Sequence, residues 1–184
     1  MTEKDIMALI EKDEWMMSVL RVARDLNLPD WMIGAGFVRN KVWDYLHGFD
    51  NKEVQTRDID LIYFDRNKLT EETEKKYEDA LKEKLNINWE PRNQARMHIK
   101  HNRKELYKNS YEALSEWPET ATCVAVRLNG DDTLELFVPH GTEDLVNLIV
   151  RPSPAFLNNL DAYRKRIHSK NWQEKWPKLK ILES

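Results

Sequence analysis

Apolar residues return at helical spacing from Thr2 to Leu26, through Ile6, Leu9, Ile10, Met16, Met17 and Leu20, and predict an amphipathic helix that Thr2 and Asp5 can cap. "NLPD" ends it, and Trp31-Met32-Ile33 reads as a short strand. The turn Gly34-Ala35-Gly36 leads into a second helical stripe of Phe37, Val38, Val42, Trp43 and Leu46. Asp58 to Phe64 predicts a second strand. Leu69 to Leu85 predicts a charged helix with Thr70 as N-cap and Glu71 and Glu72 in its first turn. "NINWEP" reads as a third strand closed by Pro91, "RNQARMHIKHN" as a short helix, and Ser110 to Trp117 as another, stopped by Pro118. The clearest alternation is in "TATCVAVRL" and "TLELFV", which flank "NGDD" as a hairpin with Asn129-Gly130 suited to positive φ. "GTEDLVNLIV" begins a further helix with Thr142 as cap and Glu143 and Asp144 in its first turn. Pro152 to Ser184 reads as helical, with Trp172 and Trp176 folding back on the body.

Strands interleaved with helices point to one α/β (α+β) domain across residues 1–184, with an N-terminal helix at 1–26, a core at 28–150 and a helical extension at 151–184. The length suits one domain, and 41% hydrophobic residues with seven Trp supply a core. A net charge of −3, from 29 basic and 32 acidic residues, gives no global argument for a polyanion partner. Cys123 is the only cysteine, which excludes a disulfide framework and suits a buried, inert thiol in an apolar strand. The N-terminus alternates charged and apolar residues and the apolar runs are too short for a bilayer, so a cytoplasmic location without membrane contact is expected. His47, His101, His140 and His168 lack zinc-ligand spacing.

Candidate chemistry begins at the second strand. Side chains alternate along a strand, so Asp58 and Asp60 share a face that Ile62 and Phe64 continue inward. Paired acids of this kind repel unless a cation lies between them, and Mg²⁺ takes one or two carboxylates plus substrate phosphates. The turn Gly34-Ala35-Gly36 supplies the complementary half, because glycine admits close backbone approach and a helix N-terminus attracts anions. Arg39 can clamp a phosphate or support this turn from behind; Arg57 can contact a triphosphate or neutralise Asp58.

These residues resemble the DNA polymerase β-like nucleotidyltransferase superfamily, whose signature is a strand, a glycine turn, a helix and an Asp-x-Asp strand. "GAGFVRNKVWDYLHG" is similar to the head of the CCA-adding and poly(A) polymerase branch. "NQARMH", "WPETATCVAVRL", "LELFVPHGTEDL" and "VRPSP" resemble a family of small bacterial nucleotidyltransferase-like proteins. Ala35 replaces the branch's first glycine, Asn40 replaces its Asp, and the spacer from Gly36 to Asp58 is longer, a change of low entropic cost.

The resemblance implies a mixed central sheet flanked by helices, with a helical C-terminal extension. It also implies transfer of an NMP from an NTP to an unidentified acceptor with Mg²⁺ or Mn²⁺. Two-metal transfer calls for a third carboxylate beside Asp58 and Asp60. Glu135 in "LELFV" is the preferred candidate and Glu90 in "NWEP" the alternative. Asn93, Gln94, Arg96 and His98 become candidates for base or phosphate contact. The basic cluster "YRKRIHSK" fits either a solvated helix face or an RNA or phosphorylated acceptor. A large tRNA-binding tail has no room in the chain, so a small-molecule or protein acceptor is expected in preference to RNA. A catalytically inactive nucleotide-binding or regulatory module on the same fold is the alternative.

Overall fold

The computed structural model describes residues 1–49, 58–100, 103 and 105–184, with the backbone alone at 99 and 100. The N-terminal amphipathic stretch is two helices rather than one, α1 (Glu3–Glu11) and α2 (Glu14–Asp25). Thr2 and Asp5 form the anticipated capping box. Asp13 breaks the run because its side chain caps the next helix: Oδ1 accepts from Met16 N at 3.1 Å. Its other oxygen accepts from the buried Lys41 ammonium at 2.6 Å.

Five strands form the main sheet in the order β3-β2-β1-β4-β5. They are β1 (Met32–Gly34), β2 (Ile59–Tyr63), β3 (Trp89–Asn93), β4 (Ala125–Leu128) and β5 (Leu134–Phe137). β2 and β3 run parallel, joined through α4 (Glu71–Lys84), while the other pairings are antiparallel. This mixed sheet is the architecture anticipated from the sequence. One face, with Ile33, Ile59, Leu61, Tyr63, Trp89 and Val126, packs against α1, α2 and α3 (Gly36–His47). The other face places Met32, Ile62 and Ala125 against Leu114 of α6 (Ser110–Ser115). Alongside them Met97, on α5 (Gln94–Lys100), clusters with Tyr107, Ala113 and Phe64.

Local departures have local causes. The hairpin after β4 places its left-handed residue at Asp132 (φ 63°) and not at Asn129 or Gly130. Asp132 N donates to Asn129 O at 3.1 Å and Asn129 N to Thr133 O at 2.8 Å, the pattern of a three-residue loop with a trailing left-handed position. α7 (Glu143–Val146) is a single turn without a side-chain bond from Thr142, and Leu148 at φ 59° redirects the chain into β6 (Ile149–Val150). β6 pairs in parallel with β7 (Lys180–Ile181) near the C-terminus. Cys123 is buried but sits after the 3-10 turn Thr120–Thr122, ahead of β4, where burial pushes its thiol pKa up.

The C-terminal segment comprises α8 (Leu160–Lys170) and α9 (Trp172–Lys175). Trp172 and Trp176 meet Trp43 edge to face at 5.6 and 5.1 Å, and Trp176 Nε1 donates to Asp44 Oδ1 at 2.7 Å. The segment therefore folds back on the body as its tryptophans suggested. Among the described residues no helix is long and apolar enough to cross a membrane.

Candidate functional site

The parallel register of β2 and β3 sets Asp60 directly beside Glu90. Paired residues share a face, and this face is the one away from α1–α3. The β1–β2 register pairs Ile33 with Leu61, so Gly34 comes next, opposite Asp60, and Gly34 in turn pairs with Ala125. A Cβ on Gly34 would lie 2.8 Å from Trp117 Cη2, so only glycine leaves the ring where it stands. The result is a cavity of about 680 Å³ whose floor holds Asp60, Glu90, Arg92 and Ala35. Trp117, Phe156 and Arg166 stand on its other walls.

Its floor is electrostatically strained. Burial, then the adjacent Glu90 carboxylate, push the Asp60 pKa up to about 6, against the pull of Arg39 and Arg166. Arg92 lies 3.5 Å from Glu90 but also reaches towards Glu74 at 3.9 Å, so it neutralises the pair incompletely. Asp58 is exposed at the strand mouth and accepts a hydrogen bond from Asn88 Nδ2. Among the described residues no group of three His, Cys, Asp or Glu is arranged to hold a metal ion. Asp60 and Glu90, two oxygen donors with unbalanced charge, nonetheless fit the chemistry of a hard divalent cation.

The glycine turn borders the same cavity. Ala35 sits at φ 49° and ψ −118°, a conformation normally left to glycine and costing about 1–3 kcal/mol. Its N–H donates to Val124 O at 2.9 Å, and its carbonyl accepts from Arg39 N at 2.9 Å. Among the described residues no side chain caps α3, so the first N–H groups of the helix lack that partner there. A Cβ on Gly36 would meet Asn40 Nδ2 at 2.8 Å, which shows how tightly the Asn40 amide underpins the turn.

Arg39 supports this turn from behind. Its guanidinium donates to Thr122 Oγ1 at 2.8 Å and to Asn40 Oδ1 at 3.0 and 3.2 Å. It lies 5.0 Å from the Trp43 ring centre and 4.4 Å from that of Trp172.

Several anticipated residues stand elsewhere. Asn93 is fully buried on the opposite side of β3, donating to the carbonyls of Asp65 and Lys68 at 2.7 Å. Arg96 is engaged by Glu74 at 2.6 and 2.8 Å and by Glu71 at 3.1 Å. His98 lies outside the cavity lining, which Gln94 does join. Arg57 and His101 fall outside the described residues.

Glu135 requires a correction of place. Alternation does put it on the face of Asp60, but β5 is three strands from β2, roughly 14 Å at ordinary strand spacing. There it is paired with Arg127 at 2.5 Å, and Glu90 is the acid at Asp60's side. Arg92, two residues after Glu90 on the same strand, shares that face by the same alternation and also lines the cavity. In the basic cluster, Arg164 faces Asp161 and Glu183, whereas Arg166 turns into the cavity.

Comparison with known proteins bears on the family and the fold. A family model described as nucleotidyltransferase matches residues 21–181. An NMR structure that reveals a CCA-adding enzyme head domain is 37% identical, with a TM-score of 0.89, covering 100% of this chain and 97% of that one. The Thermotoga maritima CCA-adding enzyme complexed with tRNA shares 15% identity at a TM-score of 0.56, and a CCA-adding enzyme with CTP shares 16% at 0.55. This chain covers 43% and 42% of those two proteins, so it spans less than half their length. No curated protein matches the sequence. Asp60 and Glu90 on neighbouring strands, beside a glycine turn that opens α3, thus occur in a chain that belongs to the nucleotidyltransferase family.

Proposed function

We propose that the protein transfers an NMP from an NTP to a small acceptor bearing a hydroxyl or phosphate, with Mg²⁺ or Mn²⁺ as cofactor. The observation that carries this reading is the side-by-side placement of Asp60 and Glu90 in a cavity that also receives the Ala35 turn. Asp60 and Glu90 would hold the cation, with Asp58 next on the same strand face. When bound, the metal would supply charge stabilisation at the phosphoryl oxygens. The turn at Ala35 and the start of α3 would orient phosphate oxygens through backbone N–H groups. Trp117 and Phe156 offer ring surface for a base.

The solved CCA-adding enzymes are bound to CTP in one case and to ATP in another, which supports an NTP as donor. The cavity is closed on one side by the C-terminal residues Phe156, Asn159 and Arg166, which favours a small acceptor over a polynucleotide. Incubation with each α-labelled NTP and Mg²⁺ or Mn²⁺ should yield labelled product and pyrophosphate, both lost in Asp60→Asn. Wild-type turnover in that variant would refute the assignment. The orientation of Asp58 towards Asn88 favours the second reading, a nucleotide-binding module. Saturable NTP binding without pyrophosphate release would support it.

A further inference from the structure

The geometry points to an anion subsite on the C-terminal wall of the cavity, in which Arg166 grips a phosphoryl group and the buried Glu119 aims it. The inference deepens the proposed transfer reaction and rests on the same cavity. Arg166 lies on α8, a third exposed at 34%, and lines the cavity that holds Asp60 and Glu90. Its Nε donates to Glu119 Oε1 at 2.6 Å. Its two terminal nitrogens make no hydrogen bond among the described residues.

Glu119 has no exposed surface, and its second oxygen, Oε2, is buried without a hydrogen-bond partner among the described residues. Its backbone is fixed. Glu119 bridges to Pro152, its carbonyl accepts from Thr122 N at 2.9 Å and from Cys123 N at 3.1 Å, and Thr120 N donates to Arg151 O at 3.1 Å.

This pairing is an inefficient way to stabilise a fold. Arginine–carboxylate pairs gain most when two nitrogens meet two oxygens, and a buried carboxylate with an idle oxygen carries a desolvation penalty. Here the carboxylate takes only the inner nitrogen of an arginine that lines the cavity, and leaves its two terminal nitrogens without a hydrogen bond among the described residues. A preset fork with its terminal donors unspent matches the oxygens of a phosphoryl group. In that cavity the fork stands on a different element from the Ala35 turn, so the two can hold separate oxygens of one ligand. The phosphoryl group would belong either to the triphosphate tail of the NTP or to a phosphorylated acceptor.

Titration calorimetry of the full chain without metal would test this, with pyrophosphate, a non-hydrolysable ATP analogue, inorganic phosphate and adenosine as probes. Arg166→Gln should weaken phosphoryl probes about tenfold or more and leave adenosine unchanged. Loss for both pyrophosphate and the ATP analogue assigns the triphosphate tail; loss confined to inorganic phosphate assigns an acceptor phosphate. Arg166→Lys should recover part of the loss, since it restores charge without the fork. Glu119→Gln should weaken the same probes severalfold, and adding it to Arg166→Gln should cost nothing further, because Glu119 acts through Arg166. Unchanged phosphoryl binding in a folded Arg166→Gln, or additive losses in the double variant, would overturn the proposal. These outcomes are independent of turnover, so an absence of NMP transfer would leave the subsite standing, and active transfer would not rescue it.

Discussion

Asp60→Asn separates what the half-buried acid does for function from what it does to the fold. The carboxyl group moves from an ordinary value of 3.8 to about 6 in the native state, because burial and Glu90 disfavour its charge. The native state therefore binds this proton more tightly than the unfolded chain does. The favourable contribution is complete below about pH 4 and is lost as pH rises through 6. A displacement of that size corresponds to about 3 kcal/mol by pH 8.

Asparagine cannot ionise, so the variant should gain up to about 3 kcal/mol on the wild type at pH 8 relative to their difference at pH 4. For a chain of this length that is about 6–12 °C in Tm. Urea unfolding in chelator at the two pH values measures it. Adding Mn²⁺ at pH 8 should then raise the wild type and leave the variant unmoved, since ligand binding stabilises only the state that binds. A variant no more stable than the wild type at pH 8 than at pH 4 would refute the account of Asp60 as a strained, cation-seeking group.

Two further substitutions bear on the floor of the site. Glu90→Gln should remove the Mn²⁺-dependent rise in Tm and bring the pH transition of Asp60 down, whereas Glu135→Gln should keep both and change stability by less than about 1 kcal/mol, as exposed ion pairs do. Equal loss of the Mn²⁺ effect in the two would show that Glu135 reaches the metal after all. Gly34→Ala should cost about 1–3 kcal/mol in urea, because its methyl group would press on the Trp117 ring from 2.8 Å. An unchanged urea midpoint would mean the ring yields freely.

Much of the frame was legible because it follows short-range rules. The Thr2–Asp5 box and the Thr70 cap are bonds over three residues, and both are present. The face shared by Asp60 and Ile62 follows from strand alternation. Alternation has no information on which strands become neighbours. It therefore set Glu135 on the correct face yet could not show that β1 and β4 lie between it and Asp60, while a parallel pairing brings in Glu90. Asp13 was hidden for a related reason: a charged residue in an amphipathic stripe reads as helix unless its cap bond and its buried partner Lys41 are known. Arg166 lay inside a visible basic cluster, but its distinction from Arg164 depends on a carboxylate 47 residues away.

The cluster of Trp43, Arg39 and Trp172 carries a signal of its own. A cation held against two indole rings perturbs their emission, and that environment lasts only while the end of the chain remains docked. Detachment of α8 and α9 should thus change the colour of the protein's intrinsic fluorescence before its helices melt, giving a probe-free record of whether the C-terminal wall of the cavity is in place.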